Sequence, residues 1–259
     1  MTAPLLEARN LRFAYPLAKP IIEDLSLSIR RGDLCAFIGP NGGGKSTLVR
    51  LLAGVLTPGS GDVLFGGRSL GKTPRREIAK RLAYVPQSWS MAFPFTALEV
   101  VLTGRSPHRL PFRLENANDC AIAMEALSQV EAAHLAKRPV TALSTGEQQL
   151  VAIARALAQE PECLLLDEPS ASLDLRHRVA LMRSLTRLRD TLGLAICVVT
   201  HDLHLIDSGF DRVLALRDGR LVVDDRPEKV LSDVALAAVY NDQSIRTRTV
   251  EGRTLVWCE

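Results

Sequence analysis

Gly39-Pro40-Asn41-Gly42-Gly43-Gly44-Lys45-Ser46-Thr47 has the residue types and spacing of a loop that holds phosphate, G-x-x-x-x-G-K-[ST]. Its glycines let backbone amides approach phosphate oxygens with no Cβ in the way. Lys45 supplies a point charge to the β- and γ-phosphates, and the Ser46 hydroxyl is a ligand for Mg²⁺. Alone, the run also reads as an ordinary Gly-rich turn. A second chemical feature is the pair Asp167 and Glu168, directly after the apolar run Glu162-Cys-Leu-Leu-Leu166. At the C-terminal edge of a parallel strand, where α/β sheets bind ligands, Asp167 is placed to hold Mg²⁺ through its water shell. Glu168 is placed there to orient or deprotonate an attacking water. By itself Asp-Glu-Pro reads equally as a turn with a helix cap.

The elements that must position these groups are legible in the hydrophobic pattern. Leu34–Ile38 is a short apolar run suited to a buried strand. Leu48, Leu51, Leu52, Val55 and Leu56 recur at helical spacing, so the glycine loop opens a helix whose N–H groups and dipole face an anion. Residues 5 to 30 alternate in part, through Leu11, Phe13, Ile22, Leu25, Leu27 and Ile29, and predict a small β layer. From Thr96 to about Gln159 the pattern turns helical, with breaks at Pro107, Pro111 and Pro139 and an Ala/Leu-rich segment from Asp119 to Gln129. Strand-like runs return at 162–166 and 194–199. Between them Arg176–Leu192 predicts a helix with Val179, Met182, Leu185 and Leu188 on one face, so strand, helix, strand implies parallel pairing. Residues 241–259 are polar and strand-like.

Composition narrows the class. The chain has 259 residues, 47% of them hydrophobic, which is ample for a packed core. Its net charge of +3 is a small difference between many charges of both signs and gives no electrostatic footprint for nucleic acid. No apolar run approaches the about 18 to 20 residues needed to span a bilayer, and no signal-peptide pattern opens the chain, so a soluble protein in the cytosol is expected. The five cysteines are scattered without a C-x-x-C pair and read as reduced thiols, and the histidines show no metal-ligand spacing beyond His201 and His204.

The order phosphate loop, Gln87, Leu143-Ser-Thr-Gly-Glu-Gln-Gln149, Leu-Leu-Leu-Asp-Glu-Pro169 and His201 resembles the ATPase subunit of an ABC transporter over nearly the whole chain. The resemblance implies an α/β phosphate-loop NTPase (RecA-like) core with an antiparallel β subdomain and an inserted α-helical subdomain. It implies a single ATPase domain over 3–240, with the helical part at about 88–160 and a tail at 241–259. ATP and Mg²⁺ are the implied ligands. Gly39, Pro40, Asn41, Gly42, Gly43, Gly44, Lys45, Ser46 and Thr47 would bind ATP, and Ser46, Gln87 and Asp167 would hold Mg²⁺. Tyr15 matches the aromatic that stacks on adenine, although it also reads as a turn tyrosine packed on the β layer. Gln87 matches the residue that reaches Mg²⁺ and the attacking water. Glu168 is the expected catalytic base, and His201 matches the switch histidine at the γ-phosphate.

Ser144, Thr145, Gly146 and Glu147 open a second helix, another anion-binding N-terminus. By resemblance they contact ATP held by a second copy in a head-to-tail dimer. Asp174 matches the loop that touches that copy, or merely caps the next helix. Thr145 stands where the family usually has glycine and Leu150 where it often has arginine, which puts turnover in doubt. The remaining implied partners are membrane permease subunits and, through them, a substrate-binding protein, with the chain peripheral at the cytoplasmic face of the membrane. Trp89, Phe93 and Phe95 read either as core of the helical region or as the edge of a pocket that receives a permease helix.

The segments 75–87 and 93–108 are similar to those of importer ATPases for ferric siderophores, haem and cobalamin. Zinc and manganese importer ATPases, which share a Phe-Pro-x-Thr segment, are the nearest rival. A soluble ABC ATPase of iron–sulfur cluster assembly is a third reading, whereas work on nucleic acid is disfavoured by the lack of a coiled-coil insertion or basic aromatic stripe.

Overall fold

Hydrophobic alternation and short buried runs generate most of the elements. A computed structural model describes residues 3–89, 91, 93–110, 115–171, 173–250 and 253–259; Pro111, Ser90, Ala92 and Ser172 lie outside the described residues. The chain runs β1 (Leu6–Ala14), β2 (Pro20–Ile29), β3 (Leu34–Ile38), α1 (Lys45–Leu52), β4 (Ser60–Phe65), β5 (Arg68–Ser69), α2 (Arg75–Ala79) and β6 (Leu82–Val85). It continues through α3 (Ala97–Leu102), α4 (Ala117–Gln129), α5 (Thr145–Leu157), β7 (Cys163–Asp167), α6 (Leu175–Leu192) and β8 (Ala195–Val199). The last elements are β9 (Arg212–Arg217), β10 (Arg220–Asp225), α7 (Pro227–Val230), α8 (Asp233–Tyr240), β11 (Ile245–Val250) and β12 (Arg253–Cys258).

Two bodies result, Met1–Thr73 with Ala195–Glu259, and Pro74–Leu194. In the first, β1 pairs antiparallel with both β2 and β4, which gives the expected β layer; Leu11, Ile22, Leu25, Leu27 and Ile29 are buried in it. Strand β3 is buried at every residue and pairs in parallel with β8, from Leu34 opposite Ile196 to Phe37 opposite Val199. It also pairs in parallel with β9, from Cys35 opposite Arg212 to Ile38 opposite Ala215. A strand without a polar residue and with neighbours on both sides belongs at the centre of an α/β core. Strands β11 and β12 pair antiparallel, from Ile245 opposite Cys258 to Val250 opposite Arg253, and β11 is tied to α8 where the Asp233 carboxylate accepts from both the N–H and the hydroxyl of Thr247 at 2.6 Å.

In the second body β6 and β7 pair in parallel, Leu82 opposite Cys163 through Val85 opposite Leu166. Helices α3, α4 and α5 pack on one another. Each of the three opens with a capping box, Thr96 with Glu99, Asn116 with Asp119 and Ser144 with Glu147. In such a box the N-cap side chain and the third helical residue each satisfy a backbone N–H that the helix leaves unpaired.

Two expectations need correction. Helix α1 ends at Leu52, because Ala53 caps it and Gly54 takes φ +65°; Val55 and Leu56 are therefore not helical, and Val55 is exposed. In α6 the buried stripe is Leu181, Ser184, Leu185 and Leu188, while Val179 and Met182 are only half-buried. The small hydroxyl of Ser184 is accommodated in the core face, a case in which periodicity of apolar types misplaces the stripe.

Candidate nucleotide site

In the first body, β3 delivers the chain directly into the glycine loop and α1 leaves it. Helix α1 begins on Gly44 with no side-chain cap and no acidic residue in its first turn, the arrangement that suits an anion at its N-terminus. The glycines at both ends of the loop are required by geometry. Gly39 has φ +136°, and a Cβ there would lie 2.0 Å from the Leu216 carbonyl oxygen. Gly44 has φ +94°, and its Cβ would meet the Ile21 carbonyl oxygen at 2.9 Å. The loop is thus wedged between β9 and β2, and no larger residue fits.

Lys45 is only 5% exposed, and its Nζ donates to the carbonyls of Gly39 at 2.9 Å and Pro40 at 2.8 Å. Those two acceptors belong to the loop itself, so the ammonium is drawn back over the loop rather than out to solvent. Asn41 and Gly42 are exposed, Ser46 is half-buried, and Thr47 is buried. His201 follows β8 and is exposed; the preceding Thr200 is buried and its N–H donates to the Phe37 carbonyl at 3.1 Å. This bond places His201 at the same sheet edge as the glycine loop. Tyr15 follows β1, half-buried, in an edge-on contact with Phe13 at 4.9 Å between ring centroids.

The second body gathers the carboxylates. Asp167 ends β7 fully buried, 3.3 Å from the Tyr84 hydroxyl that donates to it. The next residue, Glu168, takes φ +49°, a left-handed conformation uncommon for a side chain of this kind. Its Oε2 accepts from Gln87 Nε2 at 2.9 Å, so Gln87 and Glu168, far apart in sequence, meet directly. Ser144 is the N-cap of α5. Its Oγ accepts from the Glu147 N–H at 3.2 Å, and the Glu147 carboxylate accepts from the Ser144 N–H at 2.8 Å. The Ser144 N–H, foremost among its contacts, holds the Glu147 carboxyl below the usual carboxylate range. Thr145 is exposed and Gly146 half-buried at the start of α5. Asp174 caps α6, accepting from the His177 N–H at 2.9 Å.

Glu147, expected among the residues that open α5, also closes its capping box, and the S-x-x-E spacing of Ser144-Thr-Gly-Glu147 is the signal for that role. Nothing in the sequence signalled Arg105, which is 4% exposed and bonds Asp119 at 3.2 Å, Glu160 at 2.7 Å and the Ala158 carbonyl at 2.6 Å. Phe93 and Phe95 are 69% and 47% exposed with ring centroids 6.2 Å apart, so they are not core. Trp89 instead turns to α5.

The sequence profile of the ABC transporter family matches residues 22–171. The chain belongs to the ABC transporter family. The ABC ATPase is 41% identical over 240 residues to the hemin import ATP-binding protein HmuV of Rhodococcus jostii (strain RHA1), covering 92% of this chain and 81% of that relative. Among solved structures it is similar to an ABC transporter in an inward-facing conformation, assigned to the metal-chelate type. That likeness has a TM-score of 0.81 and 28% identity, and covers 98% of this chain and 96% of the other. It is also similar to a dimeric ATP-binding cassette in a post-hydrolysis state with ADP and Pi, at TM-score 0.76 and 27% identity over 86% of this chain and 98% of that one. The fold of this ABC ATPase is thereby the expected phosphate-loop core with its antiparallel β subdomain and helical insertion. Among the described residues no helix is long and apolar enough to cross a membrane, and no group of three or more His, Cys, Asp or Glu side chains forms a metal cluster.

Proposed function

We propose that this ABC ATPase is the ATP-hydrolysing subunit of an importer for a metal chelate, with haem the favoured cargo. The observation that carries the reading is the 41% identity, over 92% of the chain, to a hemin import ATP-binding protein. Residues 3–240 act as one ATPase domain, with the helical part at about 88–160 and the tail at 241–259.

ATP is bound by the loop from Gly39 to Thr47, with Lys45 set against the β- and γ-phosphates and Tyr15 against adenine. Mg²⁺ fits the donors present, since Ser46, Gln87 and the buried Asp167 all offer oxygen to a hard cation, and when bound it would neutralise charge on the phosphates. Glu168 takes the proton of the attacking water, Gln87 holds that carboxylate in place, and His201 meets the γ-phosphate from the edge of β8. Ser144, Thr145, Gly146 and Glu147 present the N-terminus of α5 to ATP on a second copy, and Asp174 contacts that copy as well as capping α6. The dimeric cassette with ADP and Pi supports this arrangement.

Work leaves through membrane permease subunits, for which exposed Phe93 and Phe95 offer an aromatic edge. The chain then sits peripherally on the cytoplasmic face, fed indirectly by a substrate-binding protein. The test is purification from detergent-solubilised membranes followed by ATP hydrolysis of the reconstituted complex. Stimulation by a haem-loaded binding protein is the expected result. Stimulation only by zinc or manganese carriers would reassign the cargo, and a protein found without any permease would overturn the importer reading.

A further inference from the structure

Trp89 stands two residues after Gln87, and the proposed hydrolytic chemistry makes no use of it. Among the described residues its indole meets two groups, both on α5. Nε1 donates to the carbonyl of Gln148, in the first turn of the helix, at 3.2 Å. The Arg155 guanidinium lies over the ring, 5.4 Å from its centroid. Gln148 and Arg155 are about two turns apart on one stripe of the helix, so a single side chain grips α5 at two heights. The helix backbone is held at this position: Gly104, two residues past the end of α3, lies so close that a Cβ there would be 2.2 Å from the Arg155 carbonyl oxygen. Burial lowers the pKa of the Arg155 guanidinium. The indole therefore follows the helix, and a largely desolvated cation over tryptophan is the favourable form of that contact. At the other end of the same loop, Gln87 bonds Glu168 at 2.9 Å.

We propose that Trp89 is a positioning residue that ties the loop carrying Gln87 to the helix opened by Ser144, so that the seating of α5 sets the place of the Gln87 amide at the Glu168 carboxylate. Trp89 touches no reacting atom and acts through Gln87. The inference rests on the reading in which Gln87 and Glu168 serve hydrolysis.

The test is a double-mutant cycle on the full chain, with steady-state hydrolysis and calorimetric ATP affinity measured on the same preparations. Trp89→Ala should lower kcat about 10-fold, leave ATP affinity within about 2-fold, and change kcat by less than about 2-fold once Gln87 is already alanine. Trp89→Phe keeps a ring on Arg155 but loses the N–H; it should fall between, and it serves if the alanine variant does not fold. An equal fold-loss in both backgrounds, or a matching loss of ATP affinity, overturns the proposal in favour of a merely structural tryptophan. Because the chain has two tryptophans, Trp257→Phe leaves Trp89 as the sole indole, and adding Arg155→Met should change its emission; an unchanged spectrum also overturns the proposal. If Gln87→Ala hydrolyses ATP at the full rate, the underlying reading fails and the proposal with it. If Gln87→Ala is impaired and Trp89→Ala is not, the proposal alone fails.

Discussion

Gln87 donates its side-chain amide to the Glu168 carboxylate at 2.9 Å, and Glu168 holds a left-handed backbone at φ +49° to receive it. A non-glycine residue in that region costs on the order of 1–3 kcal/mol and persists where its surroundings over-determine it. Here those surroundings are the fully buried β7 on one side and the Gln87 bond on the other. The strained backbone and the Gln87 bond together hold one carboxylate in place, as the proposed role of general base requires.

Lys45→Ala removes the charge that the loop carbonyls hold in place. It should weaken ATP binding by about 10-fold or more, since charge-assisted contacts to phosphate are roughly twice as strong as neutral ones. Calorimetric titration checks this, and unchanged affinity would remove Lys45 from the phosphate site.

Gly39→Ala should destabilise the fold as well as abolish nucleotide binding. Its Cβ would sit 2.0 Å from a backbone oxygen of β9, which no rotamer change can relieve, at a φ that alanine avoids. A fall of at least about 2 kcal/mol in unfolding free energy is expected from denaturant titration. A variant of native stability would show that the loop is not wedged as described.

Acid should loosen the caps of α3 and α5. Backbone N–H groups of Ser144 and Thr96, the largest influence in each case, hold Glu147 and Glu99 below the usual carboxylate range. With folded values depressed, their stabilisation is complete above the unfolded value of about 4.3 and is lost as pH falls through the folded value. Glu147→Gln retains an acceptor for the box but does not titrate, so the thermal midpoint of that variant should depend less on pH below about 5. Ser144→Ala should cost about 1 kcal/mol at neutral pH through the lost cap. Equal acid slopes for Glu147→Gln and the native chain would refute the assignment.

Thr145 leads α5 with its side chain exposed, where the family pattern has glycine. Thr145→Gly removes a Cβ and a hydroxyl from the face expected to meet the second ATP and should raise steady-state turnover. Equal or slower hydrolysis by that variant would count against a steric restriction there.

Much of this was legible in the sequence because it is local. Strand β3 is the apolar run Leu34–Ile38, residue for residue, and the spacing of glycines and Lys45 follows from what a backbone needs in order to cradle phosphate. What was not legible depends on distant partners. The meeting of Gln87 with Glu168 and the burial of Arg105 between Asp119 and Glu160 need the tertiary fold. The left-handed turn at Glu168 gives no sign in its residue type. The end of α1 is hidden because Val55 and Leu56 continue the apolar spacing past Gly54, where the backbone has already turned.

The most direct test of the account is Glu168→Gln, which keeps the size of the side chain and its capacity to hydrogen-bond while removing the base. It should bind ATP as the native chain does, lose about 10²- to 10⁴-fold in kcat, and accumulate with ATP at the mass of two chains in light scattering after size exclusion. Undiminished hydrolysis, or a chain that stays a monomer with saturating ATP, would contradict the claim that Glu168 cleaves ATP held between two copies.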